Sequence, residues 1–434
     1  MKTRNTLLSL CIASLAALTF ACTTDPKIQG PTRLVVGQQI TLEVEQGPEF
    51  LEGQFELTDS EGYSYGSGDP LLGYWFESGK RLGFVIPYGI AAGPASLSLG
   101  AEGRGPYEFG VEIVRLFGAL STSGRLTFHD ISSPDRTRGT AQVGTGPGSI
   151  GLSASGDRLV AVAQGAGEVH FLEVRADELV PFAPSLNLGF PLKRAALVST
   201  GALVAADQGV AYIERDFEGR LVLNKWLSTG PVTSIAAAAD EGRAVAVGTT
   251  TDASPMDVLF RLNVAVRPPE ITSPTIILGG SSGGVADVAI SPAGGLAVSV
   301  NTLDEQVTLV NLLDVGQALR NFPLPAECLA PSRIIMARRG NYLAVLCPGS
   351  KVVAIYEVDG GGILSLGAVA ADPRTGDPAQ ASAPVDAGFA PPRTLMVLLA
   401  DGAVSQMDLG QGTLAAALVR GAQDGGGSAL VVQP

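Results

Sequence analysis

The sequence predicts an all-β protein whose larger part is a closed ring of similar short-stranded units. Three observations carry this prediction. From about Leu116 to Pro434, units of roughly 40–50 residues recur, the repeat length of propeller blades. Their apolar residues alternate or form short β-branched runs, as in strands and not helices. The last segment of the chain has the character of the strand that the first unit lacks.

Six units are complete in themselves. Each opens with Pro or Gly and a polar residue, followed by an apolar strand, a Gly turn and two further apolar strands. The units start at Pro147, Pro191, Pro231, Gly283, Pro331 and Pro384.

A seventh unit is split between the two ends of this region. Residues 115–120 and 126–131 supply two middle strands and residues 139–143 the outer one, but no inner strand precedes them. Residues 428–433 can supply it, which closes the ring and leaves no open sheet edge. We therefore predict a seven-bladed β-propeller over residues 114–434, closed by the C-terminal strand.

One run of the fifth unit carries a family resemblance. Residues 289–298, Ala-Ile-Ser-Pro-Ala-Gly-Gly-Leu-Ala-Val, resemble the repeat of the YVTN/lactonase-like seven-bladed propellers, although the signature tetrapeptide of that family is absent. The resemblance covers roughly three quarters of the chain and is a resemblance of fold. It implies a central channel where lactonase-like enzymes hold a divalent metal.

Residues 30–113 do not follow the repeat. Short strands bounded by turns predict a small β-sandwich here. The runs Gly37-x-x-Ile40-Thr-Leu and Phe84-x-x-Pro87 followed by Gly93 resemble an IPT/TIG-type immunoglobulin-like domain.

The first residues predict export and lipid attachment. A basic start and an apolar stretch over residues 7–21 are typical of a signal peptide, here residues 1–21, and are too short for a spanning helix. Ala21-Cys22 resembles a bacterial lipobox, so we expect a lipid on Cys22 and a short tether over residues 22–29. Thr23 resembles outer-membrane sorting, with the protein facing the periplasm or the surface. Cleavage to a soluble periplasmic protein remains the alternative.

The charge and the cysteines fit an exported protein. The net charge is −13, and loss of residues 1–21 removes two cations and no acid, giving −15. Such a chain has no general affinity for nucleic acid. With Cys11 removed and Cys22 lipidated, two cysteines remain with free thiols, Cys328 and Cys347. An oxidising compartment favours a disulfide between them, with two buried free thiols as the alternative.

Two apparent catalytic signals are weak. Residues 62–66 and 280–284 both match G-x-S-x-G, but neither precedes a helix, as the nucleophile elbow requires. The only histidines, His129 and His170, fall in middle strands of different blades among apolar neighbours, where blade-packing residues are expected.

One set of polar residues forms a candidate ligand site. It consists of the residue before the first apolar position of each inner strand, which should ring the mouth of the central channel. The set is Ser149, Arg194, Ser234, Asp287, Arg333 and Asp386. Two Arg and two Asp could bind a polar or anionic ligand, or could pair with each other. Arg at two of the matching places argues against a metal there, so no metal and no cofactor are expected.

These observations favour a non-enzymatic, monomeric envelope lipoprotein whose propeller binds a protein, peptide or glycan. The motivation is a large rigid scaffold without a recognisable catalytic set. The alternative is a lactonase-like hydrolase or lyase at the channel mouth, with Asp287 and Asp386 as acid, base or ligand.

Overall fold

The structure, a computed structural model, describes residues 27–433 except 70–71, 88–89, 176–177, 228, 240–241, 280–281, 315–318, 360–361, 392, 411–413 and 422–425. Every regular element in these residues is a β-strand. None of them forms a helix with the length and apolar character needed to cross a bilayer. The predicted signal peptide and Cys22 lie outside the described residues.

The chain divides into two units. The smaller comprises residues 27–34, Gln39–Pro87 and Pro94–Glu112, and the larger comprises Val35–Gln38, residues 90–93 and residues 113–433. The larger unit therefore begins its main segment within one residue of the predicted boundary at 114.

The smaller unit is a sandwich of two sheets. Its strands are β1 (Lys27–Gln29), β2 (Arg33–Val35), β3 (Gln39–Gln46), β4 (Phe50–Thr58), β5 (Ser64–Gly66), β6 (Tyr74–Ser78), β7 (Arg81–Val85), β8 (Gly93–Ala101) and β9 (Arg104–Val114). One sheet has the order β1-β3-β7-β6 and the other β2-β9-β8-β4-β5. Their inner faces meet at Phe55 and Phe84, whose ring centroids are 4.6 Å apart. The sandwich starts three residues before the predicted boundary, because Lys27–Gln29 pair with β3 instead of continuing the tether.

The larger unit consists, in the described residues, of seven antiparallel sheets, each of which we call a blade. Blade 1 contains β10 (Leu116–Ser121), β11 (Arg125–Asp130) and β12 (Ser133–Gln142). Blade 2 contains β13 (Pro147–Leu152), β14 (Arg158–Ala163), β15 (Glu168–Val174), β16 (Leu179–Pro181) and β17 (Leu186–Asn187). Blade 3 contains β18 (Leu192–Val198), β19 (Gly201–Ala206), β20 (Gly209–Arg215) and β21 (Leu221–Leu227).

The remaining four blades repeat the four-strand order from inside to outside. Blade 4 contains β22 (Val232–Ala237), β23 (Arg243–Thr249), β24 (Asp257–Asn263) and β25 (Glu270–Ile277). Blade 5 contains β26 (Val285–Ile290), β27 (Leu296–Asn301), β28 (Gln306–Asn311) and β29 (Leu319–Pro323). Blade 6 contains β30 (Arg333–Met336), β31 (Tyr342–Cys347), β32 (Val352–Asp359) and β33 (Gly362–Ala370). Blade 7 contains β34 (Pro384–Ala390), β35 (Thr394–Leu399), β36 (Val404–Asp408) and β37 (Ala416–Arg420).

The last strand, β38 (Gly427–Val432), completes blade 1 as its inner strand. It pairs antiparallel with β10, with Ala119 opposite Leu430. Gln433, directly after it, is buried, accepts a hydrogen bond from Leu116 N at 2.9 Å, and donates one to Gly156 O of blade 2 at 3.0 Å. The predicted propeller closed by the C-terminal strand is confirmed.

The inner strands contact one another in a ring, and the core lies between neighbouring blades. Tyr212 of blade 3 and Val258 of blade 4, for example, belong to one buried cluster. The ring is tight where the inner strands meet. A Cβ on Gly151 would lie 2.8 Å from the carbonyl oxygen of Ala195 in the next blade, so this position requires glycine.

Cys328 and Cys347 form a disulfide, with Cα atoms 5.2 Å apart and both residues buried. The bond joins the segment before the inner strand of blade 6 to the end of the next strand of that blade.

Candidate functional site

The six predicted site residues lie at equivalent places near the start of successive inner strands. In five of these strands the pairing register shifts immediately before the site residue, so that one residue is skipped. Such β-bulges re-aim the side chain that follows them. The five are Ser149, Arg194, Ser234, Asp287 and Asp386, and Arg333 begins the inner strand of blade 6.

Asp287 is the centre of this arrangement. Its side chain is 1% exposed, and its Oδ1 accepts hydrogen bonds from the Arg194 guanidinium and the Ser234 hydroxyl. Its Oδ2 accepts the backbone N–H of Ile334 at 3.0 Å. One carboxylate of blade 5 is therefore tied to blades 3, 4 and 6.

Asp386 has the same role on the other side of the ring. Its Oδ1 accepts the N–H of Ala387, and its Oδ2 accepts the N–H of Leu430 in the closing strand, both at 3.0 Å. Arg333 Nη2 lies 3.6 Å from that Oδ2, within ion-pair range but beyond a hydrogen bond. The two Arg and two Asp thus form two pairs, and we call these four residues the channel quartet. Ser149 is buried at the equivalent position of blade 2.

The two arginines of the quartet differ electrostatically. Burial and the nearby Arg333 cation lower the pKa of Arg194, and Asp287 and Asp386 offset this only in part. Burial also acts to lower the pKa of Arg333, but Asp386 and Asp287 outweigh it and the pKa of Arg333 is raised.

A cavity of about 310 Å³ occupies the channel and is lined by all seven inner strands. It reaches the quartet at Arg194 and Asp386 and extends to the turns that follow the inner strands. The charged residues, which we predicted to ring the channel mouth and either to bind a ligand or to pair with each other, lie at one end of this cavity and are paired with one another. Between its ends the wall is formed mainly by Ala, Val, Ile, Leu, Met and Phe side chains.

Arg338 crosses the opposite end of the cavity. It lies in the turn after the inner strand of blade 6, and its guanidinium donates a hydrogen bond to the carbonyl oxygen of Ala154 in blade 2. These two blades are separated by blades 7 and 1. Sequence reasoning missed Arg338, because its role depends on a contact across the ring and no local motif marks it.

The two histidines lie in different blades and take no part in the quartet. His129 is fully buried in β11, packs against the Phe117 ring and contacts the Arg420 guanidinium. Burial, and then Arg420, lower its pKa to about 4. His170 Nε2 lies 3.3 Å from Glu168 Oε2, and burial lowers the pKa of His170.

Within the described ranges, no group of three or more His, Cys, Asp or Glu residues is placed to hold a metal ion.

Fold and site together define an all-β propeller protein with a charge-paired, apolar-walled channel. No protein-family model matches the chain, and no curated protein matches it. Solved structures do resemble it. A candidate 6-phosphogluconolactonase from Bacteroides uniformis is 13% identical with a TM-score of 0.59, covering 74% of this chain and 99% of that chain. The periplasmic gluconolactonase of Pseudomonas aeruginosa is 15% identical with a TM-score of 0.57, covering 74% and 99%. At this identity the similarity shows the fold.

Proposed function

We propose that this chain is a non-enzymatic binding protein of the bacterial cell envelope that takes its ligand at the propeller channel. The observation that carries the proposal is the state of the two channel carboxylates. All four of their oxygens already accept hydrogen bonds from the protein. A general base or a nucleophile needs a lone pair that is open to the substrate or to a water, and these hydrogen bonds occupy at least one lone pair on every oxygen.

The envelope location rests on the sequence pattern of residues 1–22, with the lipid on Cys22 and the immunoglobulin-like sandwich next to it in the chain. Its test is fractionation of the host cells. The natural protein should sediment with the membranes, and a Cys22→Ala variant should appear in the soluble fraction. Equal membrane association of the two forms would contradict lipid attachment at Cys22. A protein, peptide or glycan of the envelope is the ligand that the sequence favours for the scaffold as a whole.

A second candidate function is lactone hydrolysis at the channel, with Asp386 as the acid or base. The similarity to propellers described as gluconolactonases favours it, and Asp386 lies in the cavity wall. This candidate requires Asp386 to contact the substrate through the lone pairs that its two backbone hydrogen bonds leave open.

The deciding experiment is hydrolysis of glucono-δ-lactone by the purified protein, with and without added divalent metal. We expect no saturable rate above the spontaneous reaction. A saturable rate that is lost in Asp386→Asn, but kept in the exposed control Asp207→Asn, would establish the hydrolase and overturn the binding proposal.

A further inference from the structure

We propose that the channel binds a small aliphatic monocarboxylate, with its carboxylate at Arg194, the arginine of the quartet that lines the cavity, and its hydrocarbon chain along the apolar side chains of the wall. The inference rests on the proposed binding function and names the chemical class of the ligand for that same site.

The side chains that line the cavity between its two ends indicate a ligand with a hydrocarbon part. The volume of about 310 Å³ corresponds to roughly ten water molecules at ~30 Å³ each. Its wall includes the partly exposed side chains of Leu152, Met336, Phe389 and Val432, one from each of four blades. Apolar walls with a few fixed polar groups are typical of small-molecule sites, in which the polar groups orient the ligand.

The charged end of the cavity indicates an anionic head group. Arg194 lines the cavity and donates one N–H of its guanidinium to Asp287, while a guanidinium carries five such donors. The Arg333 guanidinium is 3.6 Å from Asp386, beyond hydrogen-bond distance. The side chains of Arg194 and Arg333 are 18% and 16% exposed. Within the described residues, each of these two guanidinium groups therefore keeps N–H donors for a planar acceptor such as a carboxylate.

The charge balance is consistent with an anion. Burial, and then the Arg333 cation, lower the pKa of Arg194, so a negative charge beside Arg194 in the cavity offsets part of both effects. Asp386 also lines the cavity. Its two carboxylate oxygens accept hydrogen bonds from two backbone N–H groups, which offset part of its negative charge.

Arg338 covers the end where the tail of the ligand lies. Its hydrogen bond to Ala154 O crosses the ring, so a ligand entering from this face must displace it. Arg338 is also the competing head-group site, because a carboxylate could remain at this end with the hydrocarbon chain pointing inward. The experiment separates these two orientations.

Isothermal titration of the purified protein uses four probes: butyrate, hexanoate, octanoate and octanol. We expect saturable octanoate binding, with affinity rising about fourfold per added methylene group through the series of acids. Octanol has the same chain without the charge and should bind at least about tenfold more weakly, because charge-assisted hydrogen bonds are lost. Equal affinity for octanol and octanoate, or no binding of octanoate, would overturn the proposal.

Four variants locate the ligand. Arg194→Gln should weaken octanoate binding about tenfold or more. Because Arg194→Gln also removes the ion-pair partner of buried Asp287, Ala237→Phe tests the site separately, since it adds a ring to the cavity wall at a residue outside the quartet. It should also weaken octanoate binding. Lys193→Gln removes a neighbouring cation whose ion pair with Asp207 lies at the surface, and should bind octanoate as the natural protein does. Loss of binding in Arg338→Gln with full binding in Arg194→Gln would place the carboxylate at the opposite end and contradict the proposal.

The hydrolysis assay distinguishes failure of this inference from failure of the proposed function. No octanoate binding and no lactone turnover would overturn only the ligand class. Lactone turnover that octanoate inhibits competitively would overturn only the non-enzymatic role. Turnover without any octanoate binding would overturn both.

Discussion

Arg194 of blade 3 and Asp287 of blade 5 form a buried ion pair that skips the inner strand between them. Ser234 of that intervening strand donates to the same carboxylate, and Ile334 N of blade 6 donates to its other oxygen. The Asp287 side chain therefore connects four successive blades at the axis of the propeller. In the proposed complex the same contacts position Arg194 for the ligand, so stability and the proposed binding share these atoms.

The first prediction is that Asp287→Asn is strongly destabilising. It leaves the buried Arg194 cation without its partner, and breaking a buried ion pair from one side costs about 3–5 kcal/mol. Urea unfolding measures the loss. The matched control is Asp207→Asn, in a surface pair where the Asp side chain is 62% exposed and the expected change is within about 0.5 kcal/mol. Equal unfolding midpoints for the two variants would show that the quartet does not hold the ring.

The second prediction concerns closure of the ring by Gln433. Gln433→Ala removes hydrogen bonds to Leu116 N and Gly156 O and leaves both groups buried. We expect a loss of about 2 kcal/mol, since each unsatisfied buried group costs about 1–3 kcal/mol. Thermal unfolding is the measurement, with Gln142→Ala as control, because Gln142 is exposed and its Nε2 bonds to surface carbonyls. A Gln433→Ala protein as stable as the control would argue that strand pairing alone closes the ring.

The fold was predictable because its signals are local and repeated. Alternating strands, Gly turns and the polar residue before each inner strand recur in every blade, and the C-terminal strand was recognised from a gap in the first unit. The positions of the quartet followed from the same equivalence.

The pairing within the site was not predictable from the sequence. Which charged side chains meet depends on the geometry of the ring, and Arg194 and Asp287 are 93 residues apart. Arg338 and Gln433 bond to backbone carbonyls 184 and 277 residues away, so no sequence motif marks them. The β-bulges that aim the site residues also leave no pattern of their own.

The third prediction is that the disulfide stabilises the propeller. Cys328 and Cys347 are 19 residues apart, and closing a loop of that length contributes about 3 kcal/mol in the chain-entropy model. The Cys328→Ala, Cys347→Ala double variant should unfold at lower urea than the oxidised protein. Adding a reductant during unfolding should lower the midpoint of the natural protein and leave that of the double variant unchanged. A reductant effect of equal size on both would mean that the bond does not contribute.

The last prediction is a pH dependence of stability that originates at His129. Burial and Arg420 lower its pKa from about 6.5 in the unfolded chain to about 4, so the folded protein holds it neutral. The unfolded chain binds the extra proton first as the pH falls. His129 therefore costs the folded protein no stability above about pH 6.5. As the pH falls from there towards pH 4, the free energy of unfolding decreases progressively, by roughly 3 kcal/mol at most.

Urea midpoints between pH 7.5 and pH 4.5 measure this dependence, and comparison with His129→Gln isolates it from the carboxylates, which titrate in both proteins. The variant should lose most of the slope between pH 6.5 and pH 5. His170→Gln is the control, because His170 has Glu168 beside it, which offsets part of the effect of burial on its pKa. It should keep most of the slope. If the two variants flattened the profile equally, His129 would not be the main source of the pH dependence.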